Sequence, residues 1–190
     1  MLEKMIRSQT AKQEQQLESF LARHDAANPF PEDVLLTADA DYMGDGRPCH
    51  RMDIFRPREA KEALPVLVNI HGGGVLLGKK EVNRLFCADM CRRGFVVFCL
   101  EYPLVPDVDI FTVFRALTAG IERAAALAPD FGGDASRLFL CGDSAGAYLC
   151  VYLAAMHKNA AMARTAGVPQ LSSDIAALGL ISGMFYGAYF

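Results

Sequence analysis

At 190 residues, 52% of them hydrophobic and 22% charged, the chain can bury a sizeable core as one domain. A formal net charge of -3, with no basic run interleaved with aromatics, leaves no electrostatic case for nucleic acid or an anionic membrane surface. The first residues carry charges where a signal peptide needs an apolar core, and no apolar run reaches transmembrane length.

Residues 3–27 are rich in Gln, Glu and Lys, with Leu17, Phe20 and Leu21 at helical spacing. This predicts a helix with a thin apolar stripe, stopped by Pro29 and Pro31. So thin a stripe docks weakly, and the helix is expected to be mobile or to pack on a separate element. Two strand-like runs follow, 34–37 and 50–55, separated by the turn-rich Asp41–Pro48 stretch, as in a hairpin at a sheet edge. Val66–Ile70 is a short apolar run typical of a strand buried on both faces. Residues 81–93 place Val82, Leu85, Phe86 and Met90 on one helical face, with Gly94 where a C-terminal cap belongs. Residues 95–100 read as another buried strand and 109–127 as a long amphipathic helix closed by Pro129 and Gly132-Gly133. Leu138–Cys141 reads as a strand, followed by an apolar helix, a polar loop over 159–174 and a last strand, 175–181. Strands alternating with helices imply a mostly parallel α/β sheet with helices on both faces. Ligands of such sheets bind beyond the carboxyl ends of the strands.

Two loops at such ends carry chemistry. In Gly142-Asp143-Ser144-Ala145-Gly146 the serine sits between a strand and a helix, the pattern of a nucleophile elbow. The plainer reading is a Gly-Ser turn before an ordinary helix. In His71-Gly72-Gly73-Gly74 three successive glycines follow a strand directly. A flexible connection is the plain reading. A phosphate loop does not fit, because Lys79 and Lys80 lack the flanking Gly and Ser/Thr. The chemical reading is an oxyanion hole, with donors from the N–H groups of Gly73, Gly74 and Ala145 and with Gly72 as a further candidate. The loss of one such donor costs about 3–4 kcal/mol of transition-state stabilisation.

The six cysteines form no C-x-x-C pair and no zinc spacing, and read as reduced core residues of a cytoplasmic protein. No metal or organic cofactor is implied. His24 and His50 lie where a surface role is expected. Of the residues after Ser144, His157 falls thirteen positions into its helix, roughly 20 Å away at 1.5 Å per residue. Asp174 opens the last strand at the sheet edge opposite the site.

The two motifs, with Glu101-Tyr102-Pro103-Leu104-Val105-Pro106-Asp107 between them, resemble the hormone-sensitive-lipase-like esterases of the α/β-hydrolase fold. The middle segment is similar to that family's D-Y-R-L-A-P-E, with Glu101 and Pro103 as departures. The resemblance spans residues 30–185. It implies Ser144 as the nucleophile, His71 and Gly72 as supports of the oxyanion loop, and carboxylic esters of short to medium acyl length as substrates. It also implies that residues 1–30 contribute to a cap and that 31–190 are the N-terminal part of a hydrolase domain. The triad Asp and His are then expected beyond residue 190. The aromatic tail from Ser182 fits a fragment, a non-catalytic relic, or a chain completed by a second one. Small-molecule esters are the expected partners, a homo-oligomer stays open, and the alternative is a binding or scaffold protein on a hydrolase fold.

Overall fold

The computed structural model describes residues 2–60, 62–183 and 185, with side chains from Arg7 onward. Helix α1 (Leu2–Ala27) leads into the antiparallel strands β1 (Val34–Asp41) and β2 (Arg51–Pro57). Then come β3 (Leu64–Ile70), α2 (Arg84–Arg92), β4 (Val96–Leu100), α3 (Ile110–Leu127), β5 (Gly133–Asp143), α4 (Ala145–Lys158), α5 (Ala160–Ala166) and β6 (Ile175–Ile181). The sheet order is β1-β2-β4-β3-β5-β6, with β4, β3, β5 and β6 mutually parallel.

The two-residue period of the buried strands builds the layers. Val66, Val68 and Ile70 of β3, Phe98 and Leu100 of β4, and Leu138 and Leu140 of β5 join one core with Val113, Leu117 and Ile121 of α3 and Leu149 and Leu153 of α4. The alternate residues Leu67, Val97, Cys99 and Cys141 join the other core with Cys87, Ala88 and Cys91 of α2. Each fully buried Val, Leu, Ile or Phe among them contributes about 1.5–3 kcal/mol. Asp109 caps α3, its carboxylate accepting the Thr112 N–H at 2.7 Å. Gly94, at φ +95, follows α2 in the left-handed conformation expected of a terminating glycine.

Three elements differ from expectation. The stretch read as a polar loop contains α5, capped by the Asn159 side chain and ended by Gly167 at φ +62. Strand β5 begins at Gly133, well before its apolar run, because Gly133 and Asp134 pair with Leu64 and Pro65 of β3. Helix α1 is tied down at points along its length. Leu21 is buried, Glu18 pairs with Lys79 at 3.3 Å and Arg7 with Asp107 at 2.6 Å. Lys79 and Asp107 lie in the connections that leave the carboxyl ends of β3 and β4, so α1 borders that end of the sheet. From Met184 on, only Phe185 of the aromatic tail falls among the described residues.

Candidate active site

Ser144 occupies the single position between β5 and α4, exposed, with φ 49 and ψ -114. Few non-glycine residues hold positive φ, and the surroundings must impose it. Here they do. The Ser144 N–H donates to the Ile181 carbonyl at 2.8 Å, so the end of β6 grips the backbone of Ser144 itself. Gly146 passes so near β3 that a Cβ there would lie 2.0 Å from the Ile70 carbonyl oxygen, and one on Gly142 would lie 2.4 Å from Gly146. Only side-chain-free residues permit this closeness.

The glycine loop stands beside the elbow. Gly73 has φ +111, and its carbonyl accepts the N–H groups of Leu76 and Leu77, both at 3.1 Å. A Cβ on it would lie 1.9 Å from the Leu77 carbonyl oxygen. Gly72 is a correction to the donor set, because its N–H is committed to Asp143 Oδ1 at 3.1 Å. Among the described residues the Gly73 and Gly74 N–H groups donate to no protein acceptor. The Ala145 N–H opens α4, where a helix leaves its first N–H groups unpaired and partly positive.

His71 is 1% exposed and engaged at both ring nitrogens. Nδ1 faces the Gly72 carbonyl at 2.8 Å and Nε2 faces Glu101 Oε1 at 2.9 Å. A carbonyl can only accept, so Nδ1 carries a hydrogen, and Nε2 shares a proton with the Glu101 carboxyl. The ring stacks on Tyr102 at 4.2 Å, and the Tyr102 hydroxyl donates to the His71 carbonyl at 2.8 Å. Burial pushes the Tyr102 phenol well above its ordinary range, so it stays a donor. Glu101 also accepts the Lys80 N–H on Oε2 at 3.0 Å. One carboxylate thus holds both ends of the 71–80 loop.

The other histidines are elsewhere. His50, expected at the surface, is 6% exposed and paired with Asp45 at 2.8 Å, buried beside Tyr42 in the β1–β2 connection. His24 is beside Asp25 in α1. His157 and Lys158, in the last turn of α4, face Asp174 at 3.3 and 2.6 Å, at the far end of that helix from Ser144. Burial raises the thiols of Cys141 and Cys150, which flank the elbow, so neither is a ready nucleophile. Among the described residues no cluster of His, Cys, Asp or Glu could hold a metal ion, and no helix is long and apolar enough to cross a membrane.

Sequence reasoning misses two contributors, Glu101 and Asn83; Asp143 reads from the sequence as a local structural residue at the elbow, and its carboxylate reaches Gly72 and Asn83. Glu101 was visible only as a departure from a motif. Asn83 carries no sequence signal beyond its place at a helix start.

The BD-FAE family model matches residues 52–177. Versiconal hemiacetal acetate esterase of Dothistroma septosporum is 31% identical over 130 residues, 67% of this chain and 38% of that protein. A probable isoprenylcysteine alpha-carbonyl methylesterase of Oryza sativa is 30% identical over 103 residues, 54% of this chain. The match spans 25% of that methylesterase's length. Esterase B from Lactobacillus rhamnosis, solved with a tributyrin phosphonate inhibitor, superposes with a TM-score of 0.87 at 25% identity, over 94% of this chain and 58% of that one. The expected α/β-hydrolase fold is therefore borne out.

Proposed function

The chain belongs to the BD-FAE family, and on that premise we propose that it is the nucleophile-bearing part of a carboxylic-ester hydrolase working through an acyl-enzyme. Ser144 Oγ attacks the ester carbonyl. The N–H groups of Gly73, Gly74 and Ala145 receive the oxyanion that forms, while His71 and Gly72 support the loop. The alcohol leaves and water then releases the acid. The observation that carries this reading is the strained Ser144 backbone beside a glycine loop in which, among the described residues, the Gly73 and Gly74 N–H groups have no protein acceptor. Because all four histidines are engaged away from Ser144 Oγ, the reading assigns the general base and its orienting acid to residues outside those described. Poor turnover by these residues alone follows.

Esters of short to medium acyl length are the proposed substrates, in line with relatives whose names specify an acetate ester and a methyl ester. Residues 1–30 act as a cap element, since α1 is tethered to the two connections at the carboxyl end of the sheet. No metal is assigned a role.

The test is labelling with a fluorophosphonate probe, read by mass spectrometry, beside hydrolysis of p-nitrophenyl acetate. A slow adduct on Ser144, absent in Ser144→Ala, with weak ester turnover, is the expected result. Robust turnover lost in Ser144→Ala would place a base within these residues. No adduct even when a complete relative labels under the same conditions would favour a binding protein on a hydrolase fold.

A further inference from the structure

Asn83 stands at the N-cap of α2, a position where asparagine ordinarily bonds the first turn of its own helix. Its side chain makes no such bond. It turns towards the sheet, where Nδ2 donates to Asn69 Oδ1 and to Asp143 Oδ1, both at 2.9 Å. An amide nitrogen has two hydrogens, and both are spent. Asn69 is 1% exposed in β3, its Oδ1 also receiving the Cys99 thiol at 3.5 Å. Its own Nδ2 is buried without a partner, a cost that the arrangement tolerates.

Asp143 Oδ1 has a second donor, the Gly72 N–H at 3.1 Å. The fit is close, since a Cβ on Gly72 would lie 2.3 Å from Asp143 Oδ2. Asp143 precedes Ser144 and Gly72 precedes Gly73. The carboxylate therefore spans the two halves of the site, and its orientation sets the distance between them. A carboxylate held at one oxygen by a single backbone N–H is free to rotate about its last bond. The Asn83 amide, itself anchored on β3, removes that freedom.

We propose that Asn83 is a positioning residue that aligns the oxyanion loop with the serine elbow through Asp143. Only the effect on turnover rests on the serine-hydrolase reading; the alignment does not.

Two variants of the 190-residue chain test this. Asn83→Leu removes both donors at similar size. Asn83→Asp keeps the shape and replaces the donors by a carboxylate facing Asp143. Amide exchange is measured by NMR on 15N-glycine-labelled protein, with Gly120, buried in α3, reporting global opening. Near neutral pH the protection of the Gly72 amide falls by about tenfold or more in both variants, a change equal to about 1.4 kcal/mol in local opening, while Gly120 is unchanged. At about pH 5 protection returns in Asn83→Asp, where facing carboxyls share a proton and one can again donate, and does not return in Asn83→Leu. The groups electrostatically coupled to Asp143 are Tyr102, Cys141 and Cys150, each kept protonated by burial. Lys80, Glu81, Arg84, Glu101 and His71 are common to both variants, so the difference between them reports the new carboxyl alone. Local loss with recovery in Asn83→Asp only supports the proposal, and any other pattern overturns it. Fluorophosphonate labelling of Ser144 slows in parallel. An unlabelled parent chain would count against the hydrolase reading and leave the exchange result to decide Asn83.

Discussion

The carboxylate of Glu101 lies 2.9 Å from the ring of His71 and, through its other oxygen, 3.0 Å from the backbone N–H of Lys80. Glu101→Gln keeps the size but leaves one acceptor oxygen for the His71 ring and the N–H groups of Lys80 and Tyr102. A hydrogen bond to a charged group contributes about 1.5–3 kcal/mol, and a loss within that range is expected by urea denaturation. Exchange at the 71–80 amides rises at the same time. A variant as stable as the parent, with the loop equally protected, would show that this clasp is incidental.

Glycine replacements should separate close approach from backbone strain. Gly146→Ala drives a methyl into the Ile70 carbonyl at 2.0 Å, and neither backbone can yield without unseating α4 from β3. A destabilisation of several kcal/mol is expected, of order 3 or more, at the severe end for point mutants. Gly74→Ala meets open space and pays only for its φ of +66, about 1 kcal/mol. Equal thermal midpoints for the two variants would contradict the packing described.

Ser144 should be a site of stored strain. Ser144→Gly relieves a φ of 49 and is expected to stabilise the chain by roughly 1 kcal/mol, as strain of about 1–3 kcal/mol is partly offset by glycine's greater unfolded freedom. Ser144→Ala keeps the strain and should match the parent within about 0.5 kcal/mol. Both lose fluorophosphonate labelling. Denaturant midpoints of the three proteins decide it.

Lys80 is 3% exposed and sits 2.9 Å from both Asp53 and Asp39, with Glu81 at 2.5 Å. Burial alone would depress its ammonium, but the hydrogen bonds to Glu81, Asp53 and Asp39 together hold it above its ordinary value. The hydrogen bond from Lys80 in turn holds the Asp39 carboxyl below its own. A raised lysine contributes stability that is complete below about pH 10 and is lost as pH climbs through the folded-state value. A lowered aspartate contributes stability present above about pH 4 and lost as pH falls through its folded-state value. Lys80→Met leaves Asp53, 1% exposed, with Arg84 as its remaining cation. The expected cost is about 3–5 kcal/mol near neutral pH, with a shallower decline in acid than the parent shows. Stability curves from pH 3 to 10 (about the span of these groups) check both statements.

Helix α1 should be the first element to leave. Its pairs with Lys79 and Asp107 are solvent-exposed, a class worth about 0–1 kcal/mol each, and Leu21 is its one fully buried described side chain. Limited proteolysis in about 0.5 M salt, where charges are screened beyond a few Å, should cut within residues 7–30 and leave the sheet intact. First cleavage inside the sheet would argue against so loose a tether.

Much of this was legible in the sequence where a pattern is local. The buried strands 66–70 and 96–100 announced themselves as apolar runs, and Ser144 and Gly73 by the glycines around them. Helix α5 had its signals too, Asn159 before it and Gly167 after it, but seven residues rich in alanine and short of large apolar side chains show little periodicity. The start of β5 at Gly133 could not be read, because pairing with Leu64 and Pro65 creates that strand, not its own composition. His50 is buried for a similar reason: its partners Asp45 and Tyr42 come from the fold of a connection. The clasp of Glu101 on His71 and Lys80 and the relay from Asn83 through Asp143 to Gly72 join residues 21 to 71 positions apart. Nothing in a linear pattern distinguishes such a residue from a solvated one.

The bond from Ser144 N–H to Ile181 also has a bearing on time. Chains are synthesised amino terminus first, so the elbow residues emerge before the strand that grips them. Until Ile181 is in place, the positive φ of Ser144 lacks one of the contacts that impose it. The set of contacts that holds this backbone is therefore complete only once β6 has joined β5.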